Sequence, residues 1–89
     1  MNLGMVRPRD LLDKILRAEG YASIPYADLR NLLLRLGFEE RTSGSSHAIF
    51  RRAGVEELIN LQRDGKHAKV YQVRQVRGVL LRYRLGGDL

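Results

Sequence analysis

The sequence predicts an α+β domain of element order α-α-β-β-β-α, a three-stranded antiparallel meander with helices on one face. Three observations lead there. Leu29, Leu32, Leu33 and Leu36 recur at i, i+3, i+4 and i+7, the period of a half-buried helix. Between Gly37 and Gly65, short alternating segments are cut by Ser43-Gly44-Ser45-Ser46 and Ala53-Gly54, as turns cut strands. A second helical period follows in Val73, Val76, Leu80 and Tyr83.

Taken in order, a first helix is expected from Pro8 to Glu19, with Pro8 at an early helical position and Leu11, Leu12, Ile15 and Leu16 as its apolar stripe. It is either a packing extension or an arm that contacts a partner. The second helix begins after Ser23 and Ile24, with Pro25 at its first position. Gly37 suits the left-handed residue just past that helix, and Phe38 can fold back onto it. Strands are expected over Phe38 to Arg41, Ser46 to Arg52 and Glu57 to Gln62. Thr42 to Ser45 form the first turn, and Asp64-Gly65 closes the third strand. The last helix covers Val70 to Tyr83, with Arg74, Arg77 and Arg84 on a face away from the core and Leu81 among them.

Eighty-nine residues make one domain. Residues 1–22 read as an N-terminal helical extension and 23–85 as the core. With 44% hydrophobic and 29% charged residues, the chain is globular rather than disordered. The absence of cysteine excludes a disulfide scaffold and a thiolate metal site, and fits a reducing compartment. No apolar run approaches the length of a membrane span, and the first residues lack the apolar stretch of a signal peptide. The expected location is the cytoplasm, with no membrane partner. Sixteen basic residues against ten acidic ones give a net charge of +6 and imply an acidic partner. Arginine outnumbers lysine thirteen to three, and guanidinium forks suit phosphate and carboxylate. Arginine-rich coding bias gives the same ratio with no partner at all.

One histidine stands out. His47 lies on the middle strand, after a small flexible turn and before Arg51 and Arg52. A period of two puts Ala48 and Phe50 toward the helices and His47, Ile49 and Arg51 on the open face. RNA cleavage needs a base for the 2′-hydroxyl and an acid for the leaving 5′-oxygen, and an imidazole takes either role near neutral pH. Ser45 and Ser46 can hydrogen-bond a phosphate, with Ser46 orienting it, and Arg51 and Arg52 can offset charge on the phosphorane. His47 and Ser46 are therefore the catalytic candidates. Lys66 and Lys69, just before the last helix, and Arg74, Arg77 and Arg84 along it are candidate phosphate contacts. His67 reads as part of a solvated loop. Tyr71 is a base-stacking candidate or, more simply, a staple of the helix start. No Cys or carboxylate stands at a ligand interval beside either histidine, so a metal-independent mechanism without a cofactor is expected. An exposed histidine and a solvated basic face remain the plain alternatives.

These residues together resemble the HicA family of bacterial toxins, small mRNA interferases with a double-stranded-RNA-binding-domain-like fold. Leu36-Gly37-Phe38 looks like the Gly-Phe that closes the family's first core helix. Ser46-His47-Ala48-Ile49-Phe50 looks like its Ser-His-x-Ile-Phe strand, whose histidine is catalytic; that role falls on His47. Leu61-Gln62, Gly65, Ala68-Lys69 and Tyr71-Gln72-Val73-Arg74-Gln75-Val76 resemble the third strand and final helix of one branch, which also carries an N-terminal helix. The chain departs from the pattern at four places. Ser45 stands where a Gly precedes Ser-His, Ala48 where a second His is frequent, Arg52-Ala53 where His-Pro is common, and Val70 where Pro opens the last helix. The resemblance implies a single HicA-like domain, a cytoplasmic endoribonuclease that cleaves mRNA to block translation. Its partner would be a HicB-type antitoxin protein covering the site. Without the resemblance, the residues leave three readings open: a nuclease, a non-catalytic RNA-binding module, and a protein-interaction domain with a basic face.

Overall fold

The computed structural model describes residues 7–42 and 47–89. Helix α1 (Pro8–Leu16) is followed by a 3-10 turn at Tyr21–Ser23 and by α2 (Tyr26–Arg35). Then come β1 (Glu39–Thr42), β2 (His47–Arg51), β3 (Ile59–Asp64), β4 (His67–Ala68) and α3 (Val70–Tyr83). The four strands form one antiparallel sheet in the order β1-β2-β3-β4. The class is α+β, as expected, but the sheet has four strands rather than three.

The added strand comes from the Asp64-Gly65 turn. It does not end the sheet; it makes a two-residue hairpin in which Asp64 pairs with His67. Gly65 takes φ +64° at the first loop position, a conformation open to glycine without strain. His67 is thus on a strand, half-buried, and not in a solvated loop. Ala68 N–H donates to Ile24 O and Tyr26 N–H to Lys66 O, both at 2.9 Å, so the chain before α2 lies along this short strand. Two residues are too few to show a period of two, which is why the pattern concealed it.

Element ends moved for local reasons. Helix α1 stops at Leu16, three residues before the expected Glu19. Ala18 N–H donates to Ile15 O and Glu19 N–H to Lys14 O, both at 3.0 Å, which is a Schellman closure with Ala18 at φ +58°. An alanine there carries a left-handed strain that glycine lacks. Ala18→Gly should therefore stabilise the protein by roughly 0.5–1 kcal/mol, raising the thermal midpoint by about 2–8 °C. A midpoint that falls in a calorimetric scan would count against this account of the helix end. Pro25 is the cap before α2 rather than its first helical residue. At the other end Gly37 takes φ +90°, and Phe38 N–H donates to Leu33 O at 3.0 Å, the expected fold-back. The expected strands at Phe38 to Arg41 and Ser46 to Arg52 are Glu39–Thr42 and Glu-free His47–Arg51, with Ser46 outside the described residues.

The third strand starts at Ile59, two residues later than expected, because Glu57 is used elsewhere. Tyr83 Oη donates to Glu57 Oε1 at 2.7 Å, and Arg82 Nη1 donates to Glu57 Oε2 at 3.1 Å. The Tyr83 hydrogen bond holds the Glu57 carboxyl below its ordinary range, and the same bond pushes the Tyr83 phenol up. Glu57 thus contributes stability that is present above the unfolded carboxylate's pKa and lost as pH falls through the lowered folded value. Tyr83→Phe should return the Glu57 titration toward the ordinary range. The stability gap between wild type and variant should close on acidification. Side-chain carboxyl NMR across the acid range reads both; an unmoved Glu57 titration would refute the pairing.

The core lies between the sheet and the helices. Ala48 and Phe50 of β2 and Ile59 and Leu61 of β3 meet Leu29, Leu32 and Leu33 of α2 and Val73, Val76, Val79 and Leu80 of α3, all buried. Leu11, Leu12 and Ile15 of α1 are buried in the same cluster, so this helix is packed and is no free arm. On β1, Glu40 shares the inward side with Phe50 and takes a bidentate pair from Arg30 of α2, at 2.7–2.9 Å. An inward charge on an edge strand deters pairing with a second sheet.

Candidate phosphodiester site on the open sheet face

Cross-strand register sets which side chains share the uncovered face. His47 pairs with Gln62 and Ile49 with Asn60, opposite in sense to the buried pairs Ala48–Leu61 and Phe50–Ile59. His47, Ile49 and Arg51 thus stand on the open side, as the period of two predicts. His47 is half-buried, and Ile49, Arg51 and Asn60 are exposed.

Nδ1 of His47 lies 3.4 Å from Oδ1 of Asn60 on the neighbouring strand. This is a long contact, in which a protonated Nδ1 donates and the carboxamide oxygen accepts. In the tautomer with its proton on Nδ1, the ring's Nε2 is the acceptor nitrogen. A neutral carboxamide meets the imidazole without placing a negative charge beside it.

Behind His47 the strand is tied to α3. The backbone N–H of Gln62 donates to Oε1 of Gln72 at 2.6 Å, and Nε2 of Gln72 donates to Tyr71 Oη at 3.5 Å. Gln72 is buried although polar, so this bond takes the place of a ladder bond where β4 has ended. Tyr71, next to it, is 61% exposed and does not staple the helix start into the core.

The other candidates are dispersed. Ser45 and Ser46, with Gly44, lie outside the described residues. Arg51 is on the same face as His47 but four strand residues on, about 13 Å at the usual rise. Arg52 lies past the strand, with Nε 3.6 Å from where a Cβ on Gly37 would stand. Lys66 is exposed in the β3–β4 turn, and Lys69 caps α3 with no side-chain bond to it. Arg74 is exposed on α3. Arg77 is half-buried, and its Nε donates to Leu16 O at 3.2 Å, so it closes the end of α1. Arg84 is not on a helix face; it is the left-handed residue that follows α3, at φ +53°. Among the described residues, no three His, Asp or Glu side chains converge as metal ligands.

Asn60 is given no role by the sequence, and Gln62 and Gln72 enter there only as part of the resemblance. Asn60 was legible in principle, since it lies between Ile59 and Leu61 and must face away from them. Gln72 carried no signal, because its role depends on where β4 ends.

No protein family, curated protein or solved structure matches the chain. No helix among the described residues is long and apolar enough to cross a membrane.

Proposed function

We propose that this chain is a HicA-like toxin with a double-stranded-RNA-binding-domain-like fold, a metal-independent endoribonuclease that cleaves mRNA with His47 as general acid/base. The observation that carries this reading is the setting of His47: an imidazole on the uncovered sheet face, beside a neutral carboxamide and in register with a strand tied to α3. In the reaction the 2′-oxygen attacks phosphorus and gives up its proton to a base. The bond from phosphorus to the 5′-oxygen breaks, and that oxygen takes a proton from an acid. The products are a 2′,3′-cyclic phosphate and a 5′-hydroxyl. His47 supplies one of the two transfers. Ser46 and Ser45 would hold the phosphate, and Arg51 would meet the flanking backbone. The partners on this reading are mRNA and an acidic HicB-type antitoxin that covers the face, with charge complementarity speeding their association.

The test is cleavage of RNA by the purified protein in EDTA, with the product ends analysed. Cyclic phosphate ends are expected, and a substrate with one 2′-deoxy sugar at the cut should resist. RNA binding without cleavage would instead make the chain a non-catalytic RNA-binding module.

A further inference from the structure

Three arginines from three different elements meet at the end of the molecule away from His47. Arg35 ends α2, Arg52 follows β2, and Arg84 follows α3; they line a cleft of about 280 Å³ with Leu36, Gly87 and Asp88. No guanidinium of the three forms an ion pair or hydrogen bond with a described residue, although Asp88 lines the same cleft. The negative ends of α2 and α3 favour a cation each. Arg52, arriving from the sheet, brings a third positive charge, so Asp88 and the two helix ends offset the three guanidinium groups only in part.

The cleft is built rather than accidental. Arg84 is held at φ +53°, and Leu85 N–H donates to Leu80 O at 3.1 Å. Gly86, at φ +93°, lies so close to Leu12 that a Cβ there would come within 2.5 Å of Cδ2. The segment carrying Arg84 is thus fixed against α1. Arg52 also lines the neighbouring depression of about 700 Å³, which Arg51 shares. Arg51 in turn lies on the open face with His47. Arg51 and Arg52 therefore place positive charge between the open face and the cleft, with Glu39 across from Arg51 in the same depression.

We propose that Arg35, Arg52 and Arg84 form a second phosphate-binding subsite, which grips the RNA strand several nucleotides from the bond at His47. This rests on the RNA-cleaving reading for its ligand, and on the cleft alone for its geometry. Guanidinium forks match phosphate oxygens, and such contacts carry affinity without reading sequence.

The test uses the His47→Ala protein, so that RNA is bound and not consumed. Affinity for a labelled single-stranded oligoribonucleotide is measured by fluorescence anisotropy over a salt series. The same is done after adding Arg35→Gln, Arg52→Gln and Arg84→Asn together, and after Arg84→Asn alone; asparagine tolerates the left-handed backbone. Each lost phosphate contact should flatten the plot of log affinity against log salt by about 0.7, hence about 2 for the triple variant. Affinity at low salt should fall at least tenfold, and equally for unrelated sequences. The single variant keeps the question answerable if the triple one melts early. Unchanged slopes would overturn the subsite. So would absent RNA binding by the parent protein, or saturation of the cleft by inorganic pyrophosphate that RNA fails to displace. If wild type cleaves nothing while the slopes still flatten, the nuclease reading fails and the subsite stands.

Discussion

His47→Ala should lower the rate of RNA cleavage by about two to four orders of magnitude, the usual contribution of one general acid or base. It should do so without unfolding the protein. His47 is on the open face, outside the buried cluster, so its removal leaves no cavity in the core. Asn60→Ala should cost less. It removes one long hydrogen bond of about 1 kcal/mol, so the rate should fall about five- to tenfold with folding intact. The graded pair is the informative result. Initial rates on one RNA, with melting curves alongside, would separate it from general damage. Equal rates for wild type and His47→Ala would remove His47 from the mechanism and point to another residue or a contaminating nuclease.

The parts of the fold legible in the sequence are those set by local periodicity. Leu29, Leu32, Leu33 and Leu36 fill the core side of α2, and Gly37 and Phe38 close it as their chemistry demands. Ala48 and Phe50 face inward because alternation leaves no other place for the largest apolar group on β2. What was not legible depends on tertiary context. Ala18 is a poor left-handed residue, so nothing local announced that α1 ends there. Glu57 fits a strand by pattern, but its bonds to Tyr83 and Arg82 hold it off the ladder. β4 exists because Ile24 and Lys66 offer carbonyls to Ala68 and Tyr26 across a long sequence separation.

The site divides in the same way. The exposure of His47 and Arg51 on one face follows from a period of two. The separation between His47 and Arg52 does not, since nearness in sequence suggests a cluster where an extended strand imposes distance. Arg77 shows the opposite limit. A basic residue on a helix face reads as a ligand contact, yet its guanidinium is engaged by the carbonyl that ends α1.

Gln72→Met should destabilise the protein by about 1 kcal/mol, because it leaves the half-buried Gln62 N–H without its acceptor. Methionine keeps the length and volume of the side chain, so the loss is that of the hydrogen bond and not of packing. For a domain of this size the thermal midpoint should fall by about 4–8 °C per kcal/mol. Amide exchange locates the effect: the Gln62 N–H should lose protection more than the amides of Ile59 and Leu61, which are flanked by buried side chains on the same strand. A uniform loss would mean that Gln72 matters for α3 docking in general, and an unchanged midpoint that water replaces it. The position matters because Gln62 faces His47 in register. Without the bond from Gln72, the backbone of β3 at Gln62 is held by its pairing with β2 alone, while Ile59 and Leu61 keep the strand packed on the helices. Gln72 thus joins the helix layer to the strand position that faces His47.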